Sequence, residues 1–171
     1  MKLELTTCSV RSWERRDGDA IVRHANNRNV WINLRDRFPY PYTFTDARNW
    51  LECIVGLKPE TNFAIAVAGE AVGGIGFTMQ PDVGRRSAEI GYWLGEEFWG
   101  RGIASEALVA VTDHAFANHD LCRVYAHVFD WNRASARVLE KAGYEFEGRM
   151  RKSVTKDGQT IDQLMYAIVR E

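Results

Sequence analysis

The 171-residue chain has no long hydrophobic run, no internal repeat and no low-complexity segment. Nothing in it approaches the roughly 20 consecutive apolar residues that a membrane helix needs. Its start, Met1-Lys2-Leu3-Glu4, does not read as a secretory signal. Neither sign of charge is in excess: 22 Lys and Arg face 23 Asp and Glu, for a net charge of −1. That balance gives no electrostatic case for a nucleic-acid or anionic-membrane partner. The local basic cluster Arg149, Arg151 and Lys152 reads first as a solvated strand edge guarded against pairing, and second as a docking patch. Cysteine is scarce. Cys8, Cys53 and Cys122 are odd in number and widely spaced, which excludes a disulfide framework and shows no metal-ligand spacing. They read as reduced thiols of a cytoplasmic protein, and no metal site is expected. Two of the four prolines fall in Phe38-Pro39-Tyr40-Pro41-Tyr42 and exclude regular helix there.

What is present is ordinary for a globular chain: 46% hydrophobic and 26% charged residues. The length suits a single domain over residues 1–171 with a sizeable core. Leu3 to Arg11 alternates as a strand. Asp17-Gly18-Asp19 is placed to cap a helix to about Asn26, and Asn29 to Leu34 adds a short helical turn. Thr45 is the expected cap of the next helix, through Trp50, Leu51 and Ile54 to Gly56. Thr61 to Ala68 and Val72 to Gln80 read as strands joined at Gly69-Glu70. Arg86 to Leu94 follows as a strand, Gly102 to Asn118 as a helix and Leu121 to Phe129 as a buried strand. Asn132 to Ala142 reads as a helix stopped by Gly143. Tyr144 to Thr155 and Gln159 to Arg170 close the chain as strands about the hairpin turn Asp157-Gly158. The expected fold class is α/β of the α+β type: a mixed, mostly antiparallel sheet flanked by helices.

The most informative stretch is Trp99-Gly100-Arg101-Gly102-Ile103-Ala104. It follows an apolar strand and an acidic turn, and opens a helix whose Ala104, Leu108, Val111 and Ala115 share one face. Glycines at the mouth of a helix let backbone come close to a ligand. Free N–H groups and the positive end of the helix dipole then favour an anion such as a pyrophosphate. A plain Gly-rich strand-to-helix turn is the competing reading. A second segment lies downstream: Asn132-Arg133-Ala134-Ser135, followed by a helix ending in Glu140-Lys141-Ala142-Gly143-Tyr144.

Together the two segments resemble the GNAT superfamily of N-acetyltransferases, most nearly the branch that acetylates ribosomal-protein N-termini. That branch carries E-x-W-G-x-G-x-A, matched by Glu97, Trp99, Gly100, Gly102 and Ala104. It also carries N-x-x-S and a helix ending in E-K-x-G-F, matched by Asn132, Ser135, Glu140, Lys141 and Gly143, with Tyr144 in place of Phe. The likeness runs the length of the chain, and Asp162 and Tyr166 fit it as well. It implies a sheet whose central strands, Arg86–Leu94 and Leu121–Phe129, splay into a V that takes the pantetheine arm of acetyl-CoA. By that resemblance the backbone of Tyr92, Trp93 and Leu94 pairs with the arm, as an open strand edge does with any amide-bearing ligand. The pyrophosphate would rest on the backbone of Gly100, Arg101, Gly102, Ile103, Ala104 and Ser105, with Arg101 adding charge. Trp99 stands where the wider superfamily has Gln or Arg, and is expected either as a wall of the site or as a core aromatic.

Acetyl transfer needs a thioester held close to a neutral amine, donors for the oxyanion and a favourable setting for the thiolate. A free α-amine titrates near ~8, so a weak base suffices for a peptide N-terminus. Asn132 is expected to bond the pantetheine or to cap its helix. Ser135, one turn on, is placed to donate to the coenzyme sulfur. Many superfamily members use a tyrosine there, four residues before the motif glycine, but here that position is Leu139. His127, five residues before Asn132, is a candidate base, since a histidine titrates near ~6.5 when unperturbed. Glu89 is a second candidate base; the alternative is an ion pair with Arg85, Arg86 or Arg123. Some ribosomal-protein acetyltransferases carry a glutamate nineteen residues after the motif serine, where this chain has Val154. His24, His114 and His119 read as helix-surface residues.

The acceptor site is expected between the first helices, from Trp31, Arg35, Arg37, Phe38, Tyr40, Tyr42 and Trp50, either as a pocket or as ordinary aromatic core. The resemblance implies acetyl-CoA and an amine acceptor as partners. The acceptor is a protein or peptide N-terminus first, and a polyamine, amino acid or antibiotic second. A non-catalytic acetyl-CoA sensor is the reading from another class. Oligomeric state, a homodimer included, is left open.

Overall fold

Thirteen regular elements follow from these patterns. In a computed structural model that describes residues 1–171, they are β1 (Lys2–Glu4), β2 (Ser9–Ser12), α1 (Gly18–Ala25), α2 (Arg28–Trp31), α3 (Phe44–Ile54), β3 (Asn62–Val67) and β4 (Glu70–Met79). Then come β5 (Ser87–Leu94), α4 (Ile103–Asn118), β6 (Arg123–Phe129), α5 (Arg133–Lys141), β7 (Glu145–Lys156) and β8 (Gln159–Val169). The strands form one sheet in the order β1-β2-β3-β4-β5-β6-β8-β7. Every neighbouring pair is antiparallel except β5 with β6. No helix is long and apolar enough to cross a membrane.

The parallel pair sets the architecture. β5 and β6 are in register only at Ser87/Arg123, Ala88/Val124 and Glu89/Tyr125. Beyond Glu89 the strands part. β5 stays laddered to β4 as far as Gly73/Leu94, and β6 stays laddered to β8 as far as Phe129/Gln163. The stretch Ile90–Leu94 therefore has a strand on one side and an open edge on the other, as the resemblance implies.

Period-two alternation gives the sheet two apolar faces. Val10, Phe63, Ile65, Phe77, Ile90 and Val124 pack with Leu108, Val111 and Leu139, which seats α4 and α5 on one face. Trp13, Ala64 and Ala71 pack with Ile21, Ala25, Ala47 and Leu51, which seats α1 and α3 on the other. Full burial of each large aliphatic side chain is worth about 1.5–3 kcal/mol. Gly74 is required by this packing, because a Cβ there would lie 2.7 Å from the Trp93 indole and 3.0 Å from the Trp13 ring.

Three local expectations are corrected. Leu3–Arg11 is not one strand but the hairpin β1–β2, closed by the Leu5 N–H donating to the Cys8 carbonyl (2.9 Å). Its turn is held from a distance, since the Thr6 and Thr7 N–H groups donate to the Glu106 carboxylate at 2.7 and 2.8 Å. The cap of α3 is Thr43, not Thr45: Thr43 accepts from the Asp46 N–H while the Asp46 carboxylate accepts from the Thr43 N–H, a reciprocal capping box. Asp17 precedes α1 but makes no side-chain cap to it. Its carboxylate is buried and accepts both Arg11 Nη1 (2.8 Å) and Arg11 Nη2 (2.7 Å), as well as the Glu14 N–H (2.9 Å).

Removing one member of a buried, bidentate pair strands the other charge. Asp17→Ala is therefore expected to cost about 3–5 kcal/mol of stability, read as a lower urea midpoint. A midpoint equal to wild type would show that Arg11 regains solvent without the fold yielding.

Candidate active site

The turn into α4 is built to leave backbone donors free. Gly100 and Gly102 take left-handed conformations (φ 74° and 81°), and a Cβ at either would meet nothing within 4 Å, so this backbone borders open space. Gly102 is the N-cap, and no side chain caps the helix. The first α4 amide to find a carbonyl is Glu106, which donates to Gly102 O at 3.1 Å. The N–H groups of residues 100 to 105 have no partner in the protein. Ile103 is buried and anchors the turn, so its contribution to a ligand is its backbone alone. Arg101 extends over the Phe98 ring, 5.2 Å from its centroid. A row of unpaired N–H groups at a helix N-terminus beside an arginine suits a pyrophosphate.

Trp99 is 44% exposed, not a core aromatic, and its indole N–H donates to the Leu94 carbonyl at 2.8 Å, which pins it to the end of β5. One acceptor of Leu94 is thereby taken. Tyr92, inside the divergent stretch, sends its hydroxyl to α5. The hydroxyl lies 2.8 Å from Ser135 Oγ and 3.2 Å from the Ser135 carbonyl. Asn132 caps α5, its side-chain oxygen accepting the Ser135 N–H at 3.1 Å. Leu139 is fully buried in the core.

Glu89 and His127 meet on the other face of the sheet. Ala88 and Ile90 point into the core beneath α4 and α5, so Glu89 points toward the α1–α3 side, as does Trp93, which packs against that layer. The same alternation on β6 turns Val124 and Ala126 to the core and His127 away from it. His127 Nδ1 is 3.0 Å from Glu89 Oε1. The expected arginines do not reach Glu89: Arg86 pairs with Asp120 (3.0 Å) and Arg123 with Glu147. The arginine on Glu89 is Arg35, from the loop after α2. A hydrogen bond from His127 holds the Glu89 carboxyl below the usual carboxylate range; burial opposes this and the Arg35 charge adds to it. Glu89 is thus an anion at neutral pH. A carboxylate only accepts, so Nδ1 carries a proton, and in the neutral imidazole the acceptor is then Nε2. Nε2 is buried and has no hydrogen-bond partner, an arrangement that costs about 1–3 kcal/mol unless it serves a ligand.

The structure thus divides the three expected catalytic residues. Glu89 and His127 stand together on one face, while Ser135 stands on the other with Tyr92. The gap between β5 and β6 joins the two faces. Of the aromatic segment, Tyr42 is buried, Trp50 packs edge-on to Trp13, and Phe38 lies between Tyr42 and Trp93. These are core; Arg35 is the side chain from that segment that reaches the charged pair. Trp31 is covered by Lys156, whose buried Nζ sits 3.7 Å from the ring centroid and 2.8 Å from Asp36 Oδ1. His24 is not a surface residue. It is buried with Nε2 2.8 Å from Glu70 and Nδ1 3.2 Å from Glu97, and so ties α1 to the turn that leads into α4. Arg149 pairs with Asp162 (2.9 Å) and Lys152 occupies a bulge with φ 48°, the guarded edge expected of that cluster. A cavity of about 560 Å³ at the β1–β2 edge, beside Arg11 and Ala68, holds none of these residues.

Residues 9–145 match the acetyltransferase (GNAT) domain. The chain belongs to the GNAT family of acetyltransferases. It is 31% identical over 170 residues to an uncharacterised N-acetyltransferase, p20, of Bacillus licheniformis, covering 95% of this chain and 92% of that protein. A GNAT-family acetyltransferase of Bacillus anthracis superposes with a TM-score of 0.85 at 27% identity, over 99% of this chain and 98% of that one. RimL, a ribosomal L7/L12 alpha-N-protein acetyltransferase solved in complex with coenzyme A, superposes with a TM-score of 0.86 at 25% identity, over 99% and 98%. The protein is an N-acetyltransferase that uses acetyl-CoA, and GNAT relatives bind that coenzyme. The free amides and the splayed edge fit the group: one offers donors to phosphate, the other offers donors and acceptors to amides.

Gly102→Ala forces a side chain into the left-handed region, at about 1–2 kcal/mol, and displaces the amide row. Acetyl-CoA affinity by calorimetry is expected to fall at least tenfold, about 1.4 kcal/mol, while the protein stays folded. Unchanged affinity would remove this turn from the coenzyme site.

Proposed function

We propose that this GNAT enzyme acetylates the α-amine of a protein or peptide N-terminus. The observation that carries the reading is the Glu89–His127 pair on the face opposite Ser135, with Nε2 of the imidazole unpartnered. An α-amine is only partly protonated at neutral pH, so one imidazole held in a fixed tautomer suffices as its base. The full-length likeness to RimL supports the same acceptor. Three free cysteines support a cytosolic setting.

Acetyl-CoA supplies an activated acyl group when bound. The amides of residues 100 to 105 hold its pyrophosphate, and the open edge at Tyr92, Trp93 and Leu94 aligns its amide arm. Fixing both reactants in one groove supplies much of the rate. Glu89 remains ionised, orients the imidazole and stabilises it once protonated. His127 Nε2 takes the amine proton. Ser135 donates a hydrogen bond to sulfur. The amide nitrogen of Asn132 is left over from its cap and is available to the pantetheine. No cysteine lies at the site, and direct attack in a ternary complex needs no enzyme nucleophile.

The test is coenzyme A release with peptides bearing Ala, Ser and Met N-termini, a lysine-bearing blocked peptide, spermidine and free amino acids. Turnover on the free N-termini is expected. His127→Ala should lower kcat about 10²–10⁴-fold and change the pH dependence of kcat/KM. Turnover confined to spermidine or amino acids would move the acceptor to small amines. Bound acetyl-CoA with no release on any amine would favour a sensor.

A further inference from the structure

We propose that Lys156 is a positioning residue for the Glu89–His127 pair: from the tip of the β7–β8 hairpin it holds Asp36, and so keeps Arg35 on Glu89. This rests on the reading of Glu89 and His127 given above. The backbone hydrogen bonds of residues 32–38 are all local, such as Leu34 N–H donating to the Trp31 carbonyl and Phe38 N–H to that of Arg35. No strand of the sheet fixes this segment by its backbone, so side chains set where Arg35 stands. Two adjacent residues reach apart. Arg35 pairs with Glu89 on β5, while Asp36 accepts Lys156 Nζ at 2.8 Å from the last residue of β7. Asn33 accepts the Trp131 indole N–H at 3.1 Å. A guanidinium on a segment already held loses less freedom on meeting Glu89 than one on a free loop.

The anchor is built around Trp31. Lys156 Nζ lies 3.7 Å from the centroid of that ring, and its side chain is 2% exposed. The next residue, Asp157, pairs with Arg28 at 2.7 Å, and the Arg28 guanidinium lies 5.6 Å from the same ring. Consecutive residues of the hairpin thus meet an anion and a cation about one indole. Lysine is almost never so buried without a partner, and an apolar side chain would serve packing as well. Asp36 is 75% exposed, so the amine is the fixed member and the aspartate is what it holds. The charged and titratable groups that face Glu89 are His127 and Tyr125 from β6 and Arg35 from this segment. The His127 hydrogen bond does most to hold the carboxyl low, burial opposes it, and the Arg35 charge adds to it. Releasing Arg35 to solvent withdraws that charge, and the Glu89 carboxyl rises toward its ordinary range.

The test titrates Glu89 itself, by NMR of protein labelled at the glutamate carboxyl carbons, with the resonance assigned by its loss in Glu89→Gln. Lys156→Met keeps an apolar stem against Trp31 and leaves Asp36 solvated. The fold should therefore hold, with a melting point within a few degrees of wild type. The Glu89 midpoint should rise in Lys156→Met, as it should in Arg35→Met. The double variant should rise no further than Arg35→Met alone, because Lys156 acts through Arg35. Asp36→Asn, at an exposed side chain, should raise the midpoint as well. In Lys156→Met, kcat/KM for the amine should fall no further than in Arg35→Met, with acetyl-CoA affinity unchanged. A strut that only braces the hairpin would lower the melting point and leave Glu89 titrating as in wild type. An unmoved midpoint in Lys156→Met and Asp36→Asn, while Arg35→Met moves it, would overturn the inference. Additive shifts in the double variant would overturn it too, since Lys156 would then act on Glu89 directly, as would a Glu89 that ignores Arg35→Met. Full turnover in Glu89→Gln would instead remove the reading of the pair as the base, while the titrations still decide whether Lys156 holds Arg35.

Discussion

The rest of the structure depends on one interrupted pairing in an otherwise continuous sheet, that of β5 with β6. β5 is bound to β4 through seven successive register pairs from Met79/Ala88 to Gly73/Leu94, and β6 to β8 through seven from Arg123/Val169 to Phe129/Gln163. Between them only three parallel pairs form. Beyond Glu89 each strand therefore keeps one partner and leaves its other edge open. An unpaired strand edge is normally a hazard; here it is a short segment, walled by Trp99 at one end and closed by the Tyr92–Ser135 contact at the side. It is also the one opening through which the two faces of the sheet communicate.

That opening separates two kinds of chemistry by the pleat alone. On β5, Glu89 and Trp93 face the α1–α3 layer while Ile90 and Tyr92 face α4 and α5. In the proposed reading, proton removal from an amine belongs to the side of Glu89, Arg35 and His127, and anion binding to the side where the uncapped start of α4 and the first turn of α5 lie. Arg35 comes from the segment expected to meet the acceptor, and its guanidinium pairs with Glu89 and helps to keep that carboxyl ionised.

Much of this was legible in sequence because it is local. The long strands and α4 declare themselves by period, and the turn Asp157-Gly158 by residue type, which the structure shows with φ of 49° and 75°. The Gly100 and Gly102 signal is local too, since a left-handed backbone at a helix mouth needs glycine. What was hidden is long-range. The β1–β2 turn is tied by Glu106, a hundred residues away. Asp17 looks like a helix cap until its buried partner Arg11 is seen. Glu89 has Arg85 and Arg86 close in sequence, yet pairs with Arg35, 54 residues off. The capping box Thr43-x-x-Asp46 was visible and was misplaced by two residues. The resemblance gives Tyr92 a backbone role alone, and nothing in the spacing of motifs indicates that its hydroxyl reaches α5.

The account rests on acetyl-CoA lying along the free amides of residues 100 to 105 and the open edge of β5. Amide hydrogen exchange of the protein with and without acetyl-CoA tests that directly. Slowed exchange confined to residues 90–94 and 100–105, with β1, β2 and the cavity beside Arg11 unchanged, is the predicted result. Binding that protects other segments and leaves those two stretches exchanging as before would contradict it.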